Sequence, residues 1–190
     1  MNARLSKGDS IAELPVALFF FLALVFFPLL DLGTIFFGAS QVYSACRTAA
    51  VAAGKAPSLI NDTNVQTGAP PNVVNELKPS ATNTAKQLLA KASGGGINVQ
   101  LANPIKVFQQ SINANPDGSL PQATLFQPAP GNPIDQANYV YQIEVDVIGS
   151  VKPLVLLSTS LFGQVPGVTV PVTINTSSIV RFENAKGLNN

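Results

Sequence analysis

Residues 11–30 form a run of twenty in which fourteen are Leu, Ile, Val or Phe and three are Ala; the exceptions are Glu13, Pro15 and Pro28. As an α-helix this run is about 30 Å long, the thickness of a bilayer's hydrocarbon core. On an insertion scale its apolar side chains contribute about −4 to −8 kcal/mol, against about 2.5–3.5 kcal/mol for one charge held at mid-membrane. Glu13 lies near one end, where that penalty is smaller. Insertion wins. Pro15 falls within the first turns, where a missing N–H costs little, and Pro28 lies near the far boundary, where a bend is expected.

Arg4 and Lys7 precede the run, and the first charge beyond it is Asp31. The positive-inside bias therefore places the amino terminus in the cytoplasm and residues after about 31 outside. A secretory signal has a shorter apolar region that ends in a small-x-small cleavage site. Here the apolar character continues through residues 32–37. The span is expected to be retained.

The 190-residue chain is long enough for one folded domain together with this helix. Only 11 % of residues are charged and the net charge is +1, so no clustered basic surface exists for phosphates. Nucleic acid is excluded as a partner on that ground. A hydrophobic fraction of 46 % sets the chain apart from disordered sequences. There is no His, which removes the commonest general base and the commonest neutral metal ligand. With the single Cys46, a zinc site would need carboxylates almost alone. No catalytic residue, metal site or cofactor is assigned, and an enzyme is not expected. Cys46 cannot form an internal disulfide, and its Ala-rich surroundings suit a small buried side chain.

Beyond the span, residues 41–53 are rich in Ala, which favours helix and lets helices approach closely. A helix continuing to Gly54 would project about 35 Å past the bilayer, with Gly54 and Pro57 as its stop. Residues 55–71 read as a linker. Ala81, Ala85, Leu88, Leu89 and Ala92 form a helical stripe over residues 80–92, ending at the turn Gly94-Gly95-Gly96. That triplet lacks the lysine of a phosphate loop. Ile97, Val99 and Leu101 alternate as a strand, and Tyr141, Ile143, Val145 and Val147 do so more clearly. Glu144 and Asp146 share the other face of that strand, as a carboxylate pair or, more simply, as a solvated face. Five prolines within residues 113–137 predict an exposed loop. Residues 153–162 are expected to form a short helix. Val168, Val170, Val172 and Ile174 alternate again, in phase with Val180 and Phe182, and Pro171 on the opposite face suits an edge strand or bulge.

The residues Lys7-Gly8-Asp9-Ser10-Ile11-Ala12-Glu13, leading straight into an apolar helix, resemble a type IV prepilin signal. With the Glu13-Leu14-Pro15 that follows, the short leader is similar to those of TadE-like pseudopilins from tight-adherence (Flp) pilus systems. The Ala-rich, Arg47-containing helix and the closing Val180-Arg181-Phe182-Glu183 resemble later parts of the same family. The resemblance implies cleavage between Gly8 and Asp9, which makes Glu13 the fifth residue of the mature chain. Residues 9 and 13 are one turn apart, about 6 Å along the axis. A freed amine at Asp9, from the same or a neighbouring subunit, could then pair with Glu13. Such a pair gains about 4 kcal/mol at an effective dielectric near 20, before desolvation. The plainer alternative is a carboxylate snorkelling to the headgroups beside Lys7.

Together these readings give an α+β fold: a long amino-terminal transmembrane helix followed by a small antiparallel sheet of three or four strands. Residues 1–8 would be the leader, 9–54 the membrane and assembly helix, and 55–190 an extracytoplasmic α+β domain with the Pro-rich loop 113–137. The implied function is that of a pseudopilin or minor pilin, built into a tight-adherence pilus or a related secretion filament. Implied partners are a prepilin peptidase, other pilins and pseudopilins, an inner-membrane platform with its ATPase, and membrane lipid. The implied location is a bacterial inner membrane, crossed once. The alternative is a permanently anchored extracytoplasmic binding module that never joins a filament.

Overall fold

A computed structural model describes residues 9–59, 80–127, 133–155 and 163–189. It is α+β, with one long apolar amino-terminal helix followed by a small antiparallel sheet. The chain divides into two compact units, Met1–Gly38 with Val151–Val172, and Ala39–Ser150 with Thr173–Asn190.

The long helix consists of α1 (Asp9–Phe21), a π turn (Leu22–Phe26) and α2 (Phe27–Gly54). The π turn has a local cause. Pro28 has no N–H to offer Leu24, and its ring crowds that carbonyl. Widening the preceding turn relieves the crowding, and the Phe27 N–H reaches Leu22 O, five residues back. In the first unit the helix is accompanied by the segment Val151–Val172. Gly38 approaches Val151 so closely that a Cβ there would lie 2.5 Å from Val151 Cγ1.

The second unit holds α3 (Ala81–Ala92), β1 (Ile97–Leu101), β2 (Lys106–Ser111), β3 (Thr124–Phe126), most of β4 (Tyr139–Val151) and nearly all of β5 (Val172–Arg181). β4 is the hub of the five-stranded sheet: β1, β2 and β5 all pair with it, and β3 extends the sheet from β2. β2 runs antiparallel to β4 with Lys106 opposite Glu144 and Ser111 opposite Tyr139. Ala102 N–H donates to Asp146 O at 2.9 Å, and Phe182 N–H donates to Tyr141 O at 2.9 Å.

β4 buries every second residue, Tyr141, Ile143, Val145 and Val147 among them. Val42, Cys46, Ala49, Ala50 and Ala53 form the buried stripe of α2 in the same unit. Close approach needs small groups, and the chain supplies them. A Cβ on Gly149 would stand 2.5 Å from Val42 Cγ2, and Cys46 Sγ lies 3.5 Å from Val145 O. α3 buries Ala81, Ala85 and Leu89, and Ser80 caps it by accepting the Asn83 N–H at 3.2 Å. The Gly94-Gly95-Gly96 turn closes between α3 and β1, with Gly95 at φ +58°, a conformation that a Cβ would strain.

Several expectations are corrected. The sheet has five strands rather than three or four. The Pro-rich stretch 113–137 is not loop throughout: β3 lies inside it and pairs with β2 through Val107–Phe126, Phe108–Leu125 and Gln109–Thr124. Phe126 also packs edge-on against Tyr141, ring centres 5.2 Å apart. A short strand fits because it occupies the gap between Pro121 and Pro128 and needs no donor from either. The last strand begins at Val172, after Pro171, while residues 166–170 form a turn closed by Gly167 N–H to Val170 O at 2.8 Å. Of the helix expected at 153–162, residues 156–162 lie outside the described residues, and Pro153, Leu154 and Val155 are not helical. The linker expected at 55–71 is described only to Leu59.

Candidate functional site

The apolar helix is the first candidate. Leu14–Gly54 is, among the described residues, the one helix long and apolar enough to cross a membrane. Its most apolar window has a mean hydropathy of 2.4 and is only 6 % buried. Residues 14–21 are all exposed, so no face of those two turns is covered by the chain itself. A core helix of a water-soluble domain would be covered on one side. Exposed Leu24, Leu29, Leu32, Phe36 and Phe37 carry the apolar surface onward.

Of the residues singled out for processing and assembly, Gly8 lies outside the described residues. Asp9 and Glu13 stand one turn apart in α1, both with side chains outside the described residues.

The second candidate is one that sequence reasoning passed over. Asp31 was read only as the first charge beyond the run, yet its side chain is fully buried within α2. Oδ1 accepts the Val155 N–H at 2.9 Å, and Oδ2 has no hydrogen-bond partner among the described residues. The one available signal was an acid followed by further apolar residues, Leu32 and Ile35 to Phe37. Its partner, 124 residues away, carried none.

The third candidate lies on the sheet. Lys106 Nζ is 2.8 Å from Asp146 Oδ2 and 3.3 Å from Glu144 Oε2, and Asn103 Nδ2 donates to the same Asp146 oxygen at 3.2 Å. The Lys106 bond holds the Asp146 carboxyl below its ordinary range, with Asn103 assisting and partial burial opposing. Asp146 and then Glu144 push the Lys106 ammonium up in turn. A general acid needs its carboxyl raised, not lowered. This clasp ties β2 to β4 and keeps Asp146 ionised. Beside it lies an open hollow of about 380 Å³, bordered by Asn103, Asp146, Asn175, Thr176 and Ser177. Asp146 borders it and Glu144 does not, while both carboxylates converge on the Lys106 ammonium. Cys46 is buried in the core of the second unit. Among the described residues no three His, Cys, Asp or Glu side chains gather as metal ligands.

Comparison with known proteins finds no matching family model, no matching curated protein and no matching solved structure.

Proposed function

We propose that this chain is a single-pass membrane subunit of a type IV pilus-like assembly, a pseudopilin or minor pilin of the TadE-like kind. One observation carries the reading. Helix, with one π turn, covers residues 9–54, and residues 14–21 within it are exposed on every side. A helix of that kind is at home in lipid, and it can exchange lipid for sister helices because both environments are equally apolar.

On this reading a prepilin peptidase cuts between Gly8 and Asp9, and Glu13 neutralises the new amine of its own or an adjacent subunit. The amino terminus faces the cytoplasm and the sheet unit lies outside the inner membrane. The work is structural: the helix packs with other pilins above the ATPase-driven platform, and the sheet primes or caps the filament. The open hollow beside Asn103 and Asp146 favours a second reading, a permanently tethered binding module. Mass spectrometry of protein from its native membrane separates the two. A mature chain beginning at Asp9 is expected; an intact Met1, or cleavage beyond residue 30, overturns the pilin reading.

A further inference from the structure

The segment Val151–Val172 groups with the apolar helix and not with the sheet, although both of its ends belong to strands of that sheet. It is fastened to the helix at three places. Val155 N–H donates to Asp31 Oδ1 at 2.9 Å, a Cβ on Gly167 would collide with Ile35 Cδ1, and one on Gly38 would collide with Val151. Asp31, Ile35 and Gly38 are i, i+4 and i+7, a single face of α2. The described part of the segment is also internally tied. Buried Thr169 accepts the Val165 N–H through Oγ1 at 2.8 Å, and the same hydroxyl donates to Gly163 O at 2.8 Å.

Its composition is unusual for a surface loop. Lys152 is the only charged residue from 151 to 172, and Leu154 and Val165 are 66 % and 42 % exposed. At the same level the helix exposes Leu32, Phe36 and Phe37. On a helical wheel these stand about 100°, 140° and 240° from Asp31, away from the fastened face. Apolar surface therefore faces outward on several sides at once. A fluid apolar phase covers such a surface; a single protein patch does not.

Depth follows from rise. If residues 14–33, most of them exposed, fill the hydrocarbon core of about 30 Å, then buried Asp31 lies just inside its edge and residues 34–38 enter the interfacial layer, roughly 6 Å thick on each side. We infer that the described residues of this stretch, 151–155 and 163–172, form a second membrane-contacting element, a collar that inserts Leu154 and Val165 into the bilayer interface on the non-cytoplasmic side. Lys152 fits the same place, its stem among apolar groups and its ammonium at the headgroups. The contact adds to membrane affinity by the apolar area it buries, and it orients the helix about its own axis. The inference rests on the membrane reading of the helix and adds to it a defined depth for the loop.

Depth-dependent quenching in vesicles of phosphatidylcholine and phosphatidylglycerol tests it on the full chain. In a Cys46→Ala background, single cysteines at Leu154, Val165, Phe20 and Leu120 carry an environment-sensitive fluorophore. Nitroxide groups near the top of the lipid acyl chains should quench positions 154 and 165 strongly. Leu120, an exposed residue of the other unit, should respond only to an aqueous quencher. If 154 and 165 behave like 120 while 20 remains lipid-protected, the collar is refuted and the transmembrane helix stands. Loss of lipid protection at 20 as well refutes the membrane reading itself. Protection of 154 that rises with protein-to-lipid ratio, without nitroxide quenching, also overturns the collar and assigns this surface to a second copy of the chain.

Discussion

Asp31 is the residue whose environment asks for the most explanation, since a carboxyl oxygen without a partner among the described residues is costly where it is fully buried. Its return is the Val155 N–H, which would otherwise have no acceptor from α2. Asp31→Ala removes that acceptor from a part-buried donor, a loss toward the low end of the about 1–3 kcal/mol that a fully buried one would cost. Asp31→Asn keeps an acceptor and discards the charge. Hydrogen exchange at the Val155 amide should accelerate sharply in the alanine variant and little in the asparagine variant. Equal acceleration in both would show that charge, not acceptance, holds the segment. A second residue-scale prediction concerns pH. Asp146 has a carboxyl lowered from the ordinary 3.8, chiefly by its bond to Lys106. Its stabilising contribution is therefore present above that ordinary value and is lost as pH falls through the depressed one. Lys106 is raised from 10.5, so its share is present below that value and is lost as pH rises through the higher one. Thermal melts in detergent should show both limbs in the wild type, and Lys106→Met should flatten each. A variant retaining the full acid limb would show that other carboxylates set it.

Among the elements, the seam between β4 and the Ala-rich half of α2 depends on missing side chains. Gly149→Ala drives a methyl into Val42, and overpacking of this kind costs about 1–3 kcal/mol. Val42→Ala in the same chain opens the space. The double variant should recover most of the melting temperature lost by Gly149→Ala alone, and additive losses would place the strain elsewhere. This seam was legible in part. The run at 11–30 and the alternation of Tyr141, Ile143, Val145 and Val147 are strong periodic signals, and they announce the long helix and the hub strand. β2 escaped because its apolar residues, Val107 and Phe108, are adjacent rather than alternating, so its faces are chosen by β4 and not by its own pattern. β3 escaped because it is three residues between prolines and exists only by pairing with β2. Tertiary context decides such strands. The helix's π turn was half visible: Pro28 predicts a disturbance, but not that widening by one residue would absorb it.

At the scale of the molecule, the apolar surface of the first unit is continuous, whereas that of the second is scattered. The first unit exposes Leu, Val and Phe along residues 14–37, while the second buries Val42, Ile143, Val145 and Val147 and exposes single residues such as Ile112, Leu120 and Ile179. Two substitutions separate what this surface does from what Glu13 does. Leu24 is exposed near the middle of the apolar stretch, and Leu24→Arg replaces a favourable term with one of about +2.5 to +3.5 kcal/mol. That consumes much of the roughly −4 to −8 kcal/mol available to the run. Carbonate extraction should then release an appreciable fraction of Leu24→Arg, while Leu120→Arg, on the second unit, stays in the membrane pellet. Glu13→Ala removes a charge from the run and should leave the pellet fraction unchanged or higher. The filament role assigns Glu13 to pairing with the amine of Asp9, so the same variant should be inserted yet absent from sheared surface filaments. Wild-type filament yield from Glu13→Ala would sink that role, and release of Glu13→Ala by carbonate would mean that the carboxylate serves insertion instead.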